Sequence, residues 1–210
     1  MTCPEMRTEE GFEMQVSDIL APSLLTGLPQ IGTNHFGHFL LTNLLMPLLK
    51  RAAPGARIVN VSSLAHEQGV MQWDDLNFEK TPYSAIKAYS QSKLANILFS
   101  KELARRGEGS GVSVYSLHPG VINTDLGRHM KDTFGAIGGC MMGMAAPFIK
   151  TVASGAQTTI YCAVEEKIAE HSGKYYSDCA EKQPRPQAES MEDAKRLWEE
   201  SERLTGLTAA

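Results

Sequence analysis

An α/β architecture built on a parallel strand–helix–strand crossover is what this sequence predicts, and three stretches carry the prediction. Residues 57–62 (RIVNVS) are a β-branched run after the Pro54-Gly55 turn, the pattern of a buried strand that delivers Ser62 and Ser63 at its C-terminal end. Residues 84–106 place Tyr89, Lys93, Ile97, Lys101 and Arg105 every four positions, with Leu94, Ile97, Leu98 and Leu103 at helical intervals, and so predict one helix. Residues 112–117 (VSVYSL) predict a second strand, closed by His118-Pro119-Gly120. A strand, a helix and a strand in this order form a crossover between parallel neighbours, right-handed by the usual rule. Open α/β sheets bind ligands at the carboxyl ends of their strands. Ser63, Tyr89 and the 118–120 turn are therefore expected to gather on one edge.

Composition bounds the rest. The 210 residues are 42% apolar and 21% charged, enough for a single domain, 1–210, with a core that needs no staples. The net charge is −4, and the Lys50-Arg51 and Arg105-Arg106 pairs sit where helix C-termini favour cations, so nucleic acid is not the expected partner. Cys3, Cys140, Cys162 and Cys179 are too scattered for a zinc site or a disulfide framework, which points to a reducing, intracellular setting. The first fifteen residues are polar and acidic, without a secretory signal.

The remaining elements follow in chain order. Residues 16–30 are broken by Pro22, Gly27 and Pro29 and read as an atypical insertion; Thr26-Gly27 with Gly32 is too sparse in glycine for a phosphate loop. Residues 34–53 carry Phe36, Phe39, Leu40, Leu44 and Leu48 at helical spacing and predict a mostly buried helix, with Asn34 as its cap. His35 and His38 lie one turn apart but lack accompanying carboxylates or cysteines, so no metal site is predicted. The long connection over 65–82 holds a short turn at Trp73-Asp74-Asp75-Leu76. Residues 134–149 are uncharged and interrupted by glycines and Pro147, too short to span a bilayer and suited to an apolar lid or a peripheral membrane contact. A helix over 154–167, a strand over 173–178 and a final helix over 190–204 complete the chain, the last with Ser190 and Asp193 as a capping pair and Gly206 beyond its end.

The Tyr89/Lys93 spacing has chemical content. Residues four apart on a helix share a face, and an ammonium beside a phenol favours the phenolate, bringing Tyr89 toward acid–base work near neutral pH. Alone, such a spacing is common on amphipathic helices.

Together with Asn34 in N-H-F-G-H-F, Ser63 in I-V-N-V-S-S, Y-S-Q-S-K at 89–93 and H-P-G-V-I-N-T-D-L at 118–126, however, it resembles the short-chain dehydrogenase/reductases, in texture the retinol dehydrogenase branch. The resemblance implies the C-terminal part of a Rossmann-like doubly wound parallel sheet that lacks its first strands. It implies Tyr89 as proton donor or acceptor, Lys93 lowering its pKa and holding the nicotinamide ribose, and Ser63 hydrogen-bonding the substrate oxygen. Asn34 would anchor a water, and Pro119, Gly120, Val121 and Thr124 would line the cofactor. The reaction implied is hydride transfer between NADP or NAD, with NADP favoured, and an apolar alcohol or carbonyl such as retinol or retinal. A second copy is a candidate partner, because the 34–53 and 84–106 helices resemble those through which the family dimerises.

The family's T-G-x-x-x-G-x-G turn is absent from this sequence. Without it the pyrophosphate has no evident seat, and the strand at 57–62 is expected to present an open edge. The alternative expectation is a catalytically inactive chain that acts by pairing with a full-length relative.

Overall fold

The computed structural model of the protein describes residues 30–122 and 149–207. The 16–29 part of the expected insertion, Thr124 and the 134–148 part of the expected lid lie outside the described residues.

Strand β1 (Arg57–Val61), helix α2 (Ala85–Arg106) and strand β2 (Ser113–His118) form the expected crossover, preceded by helix α1 (Gly37–Arg51). Helix α3 (Val152–Val164), strand β3 (Tyr175–Ser177), strand β4 (Ala180–Glu181) and helix α4 (Met191–Thr205) follow. The sheet order is β1-β2-β3-β4, with the first two pairings parallel and the last antiparallel. Among the described residues β1 therefore pairs on one side alone, as the sequence implies. Register sets Val61 against Leu117, so both strands end at the same level, with Ser62–Ser63 beside the turn that follows His118.

Side chains alternate faces along a strand, and this parity divides the core. Ile58 and Val114 join Phe39, Phe99, Leu103 and Trp198 on the α2 face. Tyr115, Leu117 and Tyr176 pack with Cys162 and Ile168 on the opposite, α3 face, where Val59 also lies. Phe39 and Trp198 meet edge to face with ring centroids 4.9 Å apart, and the Arg106 guanidinium lies 4.4 Å from the centre of the Trp198 ring. A third cluster seats α4 on α2 through Ala194 and Leu197 against Leu94, Ala95, Ile97 and Leu98. Helix α4 starts as expected, with Asp193 N–H donating to Ser190 Oγ at 3.1 Å, and Gly206 adopts φ +68° at its end.

Three expectations need correction. Helix α1 is not mostly buried: Phe39 is its one fully buried residue, whereas Leu41, Leu44, Leu45 and Leu48 are exposed, because α1 meets Phe99 of α2 and Trp198 of α4 along one edge, through Phe39, and turns these leucines outward. Asn34 does not cap a helix, since the chain is already helical at Gln30 and Asn34 sits inside a π turn, Gly32–Phe36, that runs directly into α1. The strand over 173–178 is a hairpin: Asp178 and Cys179 both take positive φ, the geometry of a two-residue type I′ turn, and return the chain as β4. That turn carries none of the Asn-Gly or Asp-Gly signal by which such hairpins are recognised.

The 65–82 connection is more ordered than its length suggests. A 3₁₀ helix, Leu64–Gln68, is followed by a loop that Gln91 ties to α2, accepting from Gln72 N–H at 2.8 Å and donating to Leu76 C=O at 2.9 Å. Asp75 gathers the backbone N–H groups of Glu79, Lys80 and Thr81 and the Thr81 hydroxyl. Desolvation, the largest single influence, acts to raise its pKa, but the four hydrogen bonds together outweigh it and hold the carboxyl below the usual range.

Candidate active site at the carboxyl edge of the sheet

Polar bonds lace the end of β1 to the middle of α2 and fix the candidate residues relative to one another. Asn60 Nδ2 donates to Ser100 Oγ at 2.9 Å, and Ser62 Oγ donates to the Lys93 carbonyl at 2.7 Å. Asn34 reaches the same helix from the π turn, with its Nδ2 donating to Ser92 Oγ at 3.0 Å while that hydroxyl donates to Tyr89 C=O. The Y-S-Q-S-K segment is thus held from three sides: by β1 through Ser62, by the π turn through Ser92 and by the 65–82 connection through Gln91.

Ser63 caps the 3₁₀ helix, accepting Ala65 N–H at 3.2 Å, and its carbonyl accepts His66 Nδ1–H at 2.6 Å. A carbonyl cannot donate, so His66 carries its proton on Nδ1. Burial, the largest influence, lowers the His66 pKa. The Ser63 side chain hydrogen-bonds the Tyr89 phenol. The Lys93 ammonium lies 5.6 Å from the centre of the Tyr89 ring and donates to Val61 C=O at 3.3 Å.

The electrostatics differ from the expected proton-sharing pair. Burial raises the Tyr89 pKa and outweighs the opposing hydrogen bond from Ser63. Burial likewise pushes Lys93 down to about 8. An ammonium near the phenol ring thus does not pull Tyr89 toward the phenolate here, because desolvation penalises the charged form of both groups.

Beyond the strand ends, Gly120 adopts φ +97°, a conformation available to glycine, and a Cβ there would sit 2.7 Å from Lys150 Cδ. Lys150 in turn bridges to Asp178. Pro119 and Gly120 are half-buried and Val121 is exposed. Asn34, Ser63, Tyr89 and Lys93 are therefore linked around one segment of α2, and the Pro119–Val121 turn follows the neighbouring strand end. His35 and His38 diverge: His35 is buried and bonds Ser201 Oγ at 2.8 Å, whereas His38 is at the surface. His66 is not singled out by the sequence, and Ser62 and Gln91 appear there only as members of their motifs. Each acts through backbone partners, which leave no side-chain pattern to read.

A short chain dehydrogenase family model matches residues 76–134, which include α2 and β2. Retinol dehydrogenase 13 of Homo sapiens is 47% identical over 210 residues, covering 100% of this chain and 59% of that protein. The chain belongs to the short-chain dehydrogenase family. The crystal structure of an uncharacterized protein from Mycobacterium Paratuberculosis is 34% identical and superposes with a TM-score of 0.66, covering 98% of this chain and 63% of that one. A short-chain type dehydrogenase/reductase from Mycobacterium ulcerans, 19% identical with a TM-score of 0.52 over 79% of this chain and 58% of its own, shares the fold. This short-chain dehydrogenase chain spans less than two thirds of the length of the curated relatives it matches.

Proposed function

We propose that this chain supplies the proton-transfer side of an NAD(P)-dependent oxidoreductase that interconverts an apolar alcohol and its carbonyl compound, with retinol and retinal as the substrate pair. One observation carries the reading: Ser63 and Lys93 both adjoin the Tyr89 side chain, at the carboxyl end of β1. The relative named retinol dehydrogenase 13 supports the substrate class.

A nicotinamide ribose fits the surroundings of Lys93. The ammonium has three N–H groups and a single described acceptor, Val61 C=O, and no carboxylate among the described residues pairs with it. A ribose diol would supply the missing acceptors. The bound nicotinamide would supply or accept the hydride, the half of the chemistry that no side chain here can perform. Tyr89 gives its phenolic proton to the carbonyl oxygen in reduction and takes the hydroxyl proton in oxidation. Ser63 holds the same oxygen. Asn34 would order water beside Lys93, and Pro119, Gly120 and Val121, with Thr124 outside the described residues, would line the nicotinamide side of the cofactor, NADP in preference to NAD. The exposed row Leu41, Leu44, Leu45 and Leu48 on α1 supports association with a second copy.

The test is retinal-dependent oxidation of NADPH by residues 1–210 at several millimolar nucleotide, wild type against Tyr89→Phe. Turnover is expected from the wild type and none from the variant. Equal rates, or no turnover by either, would overturn the proposal.

A further inference from the structure

Behind Lys93 lies a line of buried polar groups that the proton-transfer chemistry does not use. The Val61 carbonyl, at the end of β1, receives two side-chain donors from α2: Lys93 Nζ at 3.3 Å and Asn96 Nδ2 at 3.2 Å. A carbonyl has two lone pairs, so both bonds can form together, and the amide fixes the orientation of the oxygen to which the ammonium is tied. Asn96 is 1% exposed, so its amide has no solvent alternative.

Val61 C=O can only accept, so the NH₂ group of Asn96 faces it and Oδ1 faces the other way. Asn96 Oδ1 and His35 Nδ1 are both buried without a hydrogen-bond partner. Ser201 Oγ donates its one proton to Leu197 C=O at 2.6 Å, so His35 carries the imidazole proton on Nε2 and donates it to Ser201 Oγ at 2.8 Å, leaving Nδ1 unprotonated. His35 is fully buried, and desolvation, with a smaller contribution from His38, pushes its pKa down to about 3; the ring stays neutral and keeps this tautomer. It is wedged among Phe36, Phe39 and Phe99, with centroids 5.1, 6.2 and 5.6 Å away.

We propose that Asn96 is a positioning residue for Lys93: it clamps the Val61 carbonyl and so keeps the Lys93 ammonium beside Tyr89 instead of extended into solvent. The identity of Lys93 as a site residue rests on the proposed function; the clamp itself does not.

The test reads the ionisation of Lys93 without requiring turnover. The pH dependence of Lys93 acylation by an amine-reactive acetylating reagent is followed by mass spectrometry, with Lys195 on α4 as the internal reference. The wild-type midpoint is expected at about 8. In Asn96→Leu, of similar volume but unable to donate, the midpoint should rise by about 1 pH unit or more as the ammonium reaches water. Asn96→Ala, smaller and equally unable to donate, should move it in the same direction. The groups facing Lys93 are otherwise Tyr89 and His38, both retained in these variants. A folded Asn96→Leu with an unchanged midpoint would overturn the clamp. Should that variant fail to fold, an unchanged midpoint in Asn96→Ala decides the same way. A shifted midpoint in a protein without retinal reduction would uphold the clamp and sink the proposed function, and the reverse pattern would do the opposite.

Discussion

Replacing Lys93 by Met should make the protein more stable at neutral pH while abolishing the activity proposed for it. Burial lowers the Lys93 pKa from its ordinary 10.5 to about 8, with no other cause contributing. At about 1.4 kcal/mol per pH unit, a difference of that size corresponds to an upper bound of about 3 kcal/mol by which the folded state is penalised for carrying the charge. Lys93 is only half-buried, so screening by solvent reduces that figure. The variant also loses the hydrogen bond to Val61 C=O, worth about 1–2 kcal/mol. A net gain of roughly 1 kcal/mol for Lys93→Met at pH 7 is the expected remainder. The sign of its pH dependence is fixed by linkage. Between pH 8 and 10.5 the unfolded chain binds the proton and the folded chain does not, so wild-type stability rises with pH across that window and the advantage of the Met variant fades. Urea denaturation of both proteins at pH 7 and at pH 10 measures this directly. A Lys93→Met protein less stable than wild type at pH 7, or an advantage that grows toward pH 10, would refute the reasoning. Sites that hold an uncompensated charge for a ligand commonly show this exchange of stability for function.

Other consequences can be measured separately. A Cβ on Gly69 would fall 2.6 Å from the Ser90 carbonyl oxygen and 2.9 Å from Leu94 Cβ, so Gly69→Ala should cost about 1–3 kcal/mol in urea denaturation by pushing the 65–82 connection off α2; a midpoint equal to wild type would contradict the contact. Ser190→Ala removes the acceptor of Asp193 N–H and should cost about 1 kcal/mol, whereas Ser190→Asp should retain most of it. Calorimetric titration of residues 1–210 with NADPH should show no saturation below about 1 mM, because the sequence holds no glycine-rich turn to cradle the pyrophosphate. Micromolar binding would show that the diphosphate is held elsewhere.

The sequence by itself determined the crossover, the order of the elements and the residues around Tyr89. Hydrophobic periodicity is a local property: the β-branched run before Ser62 and the four-residue spacing from Tyr89 to Arg105 each specify their element without reference to distant residues. The capping pair at Ser190 and the glycine at 206 were legible for the same reason. The tertiary structure decided what depends on neighbours far along the chain. Whether the leucines of α1 face the sheet or the surface is a matter of where the helix leans, not of its spacing, and the I′ hairpin at Asp178-Cys179 is imposed by pairing against β3. Asn34 appears as a cap when read locally, and only packing against Ser92, 58 positions away, places it in a π turn. The acid–base balance of the site is likewise tertiary. The spacing puts an ammonium beside a phenol, but burial beneath β1 and the π turn sets the sign of both pKa shifts, since desolvation acts on each charged form more strongly than the two groups act on each other.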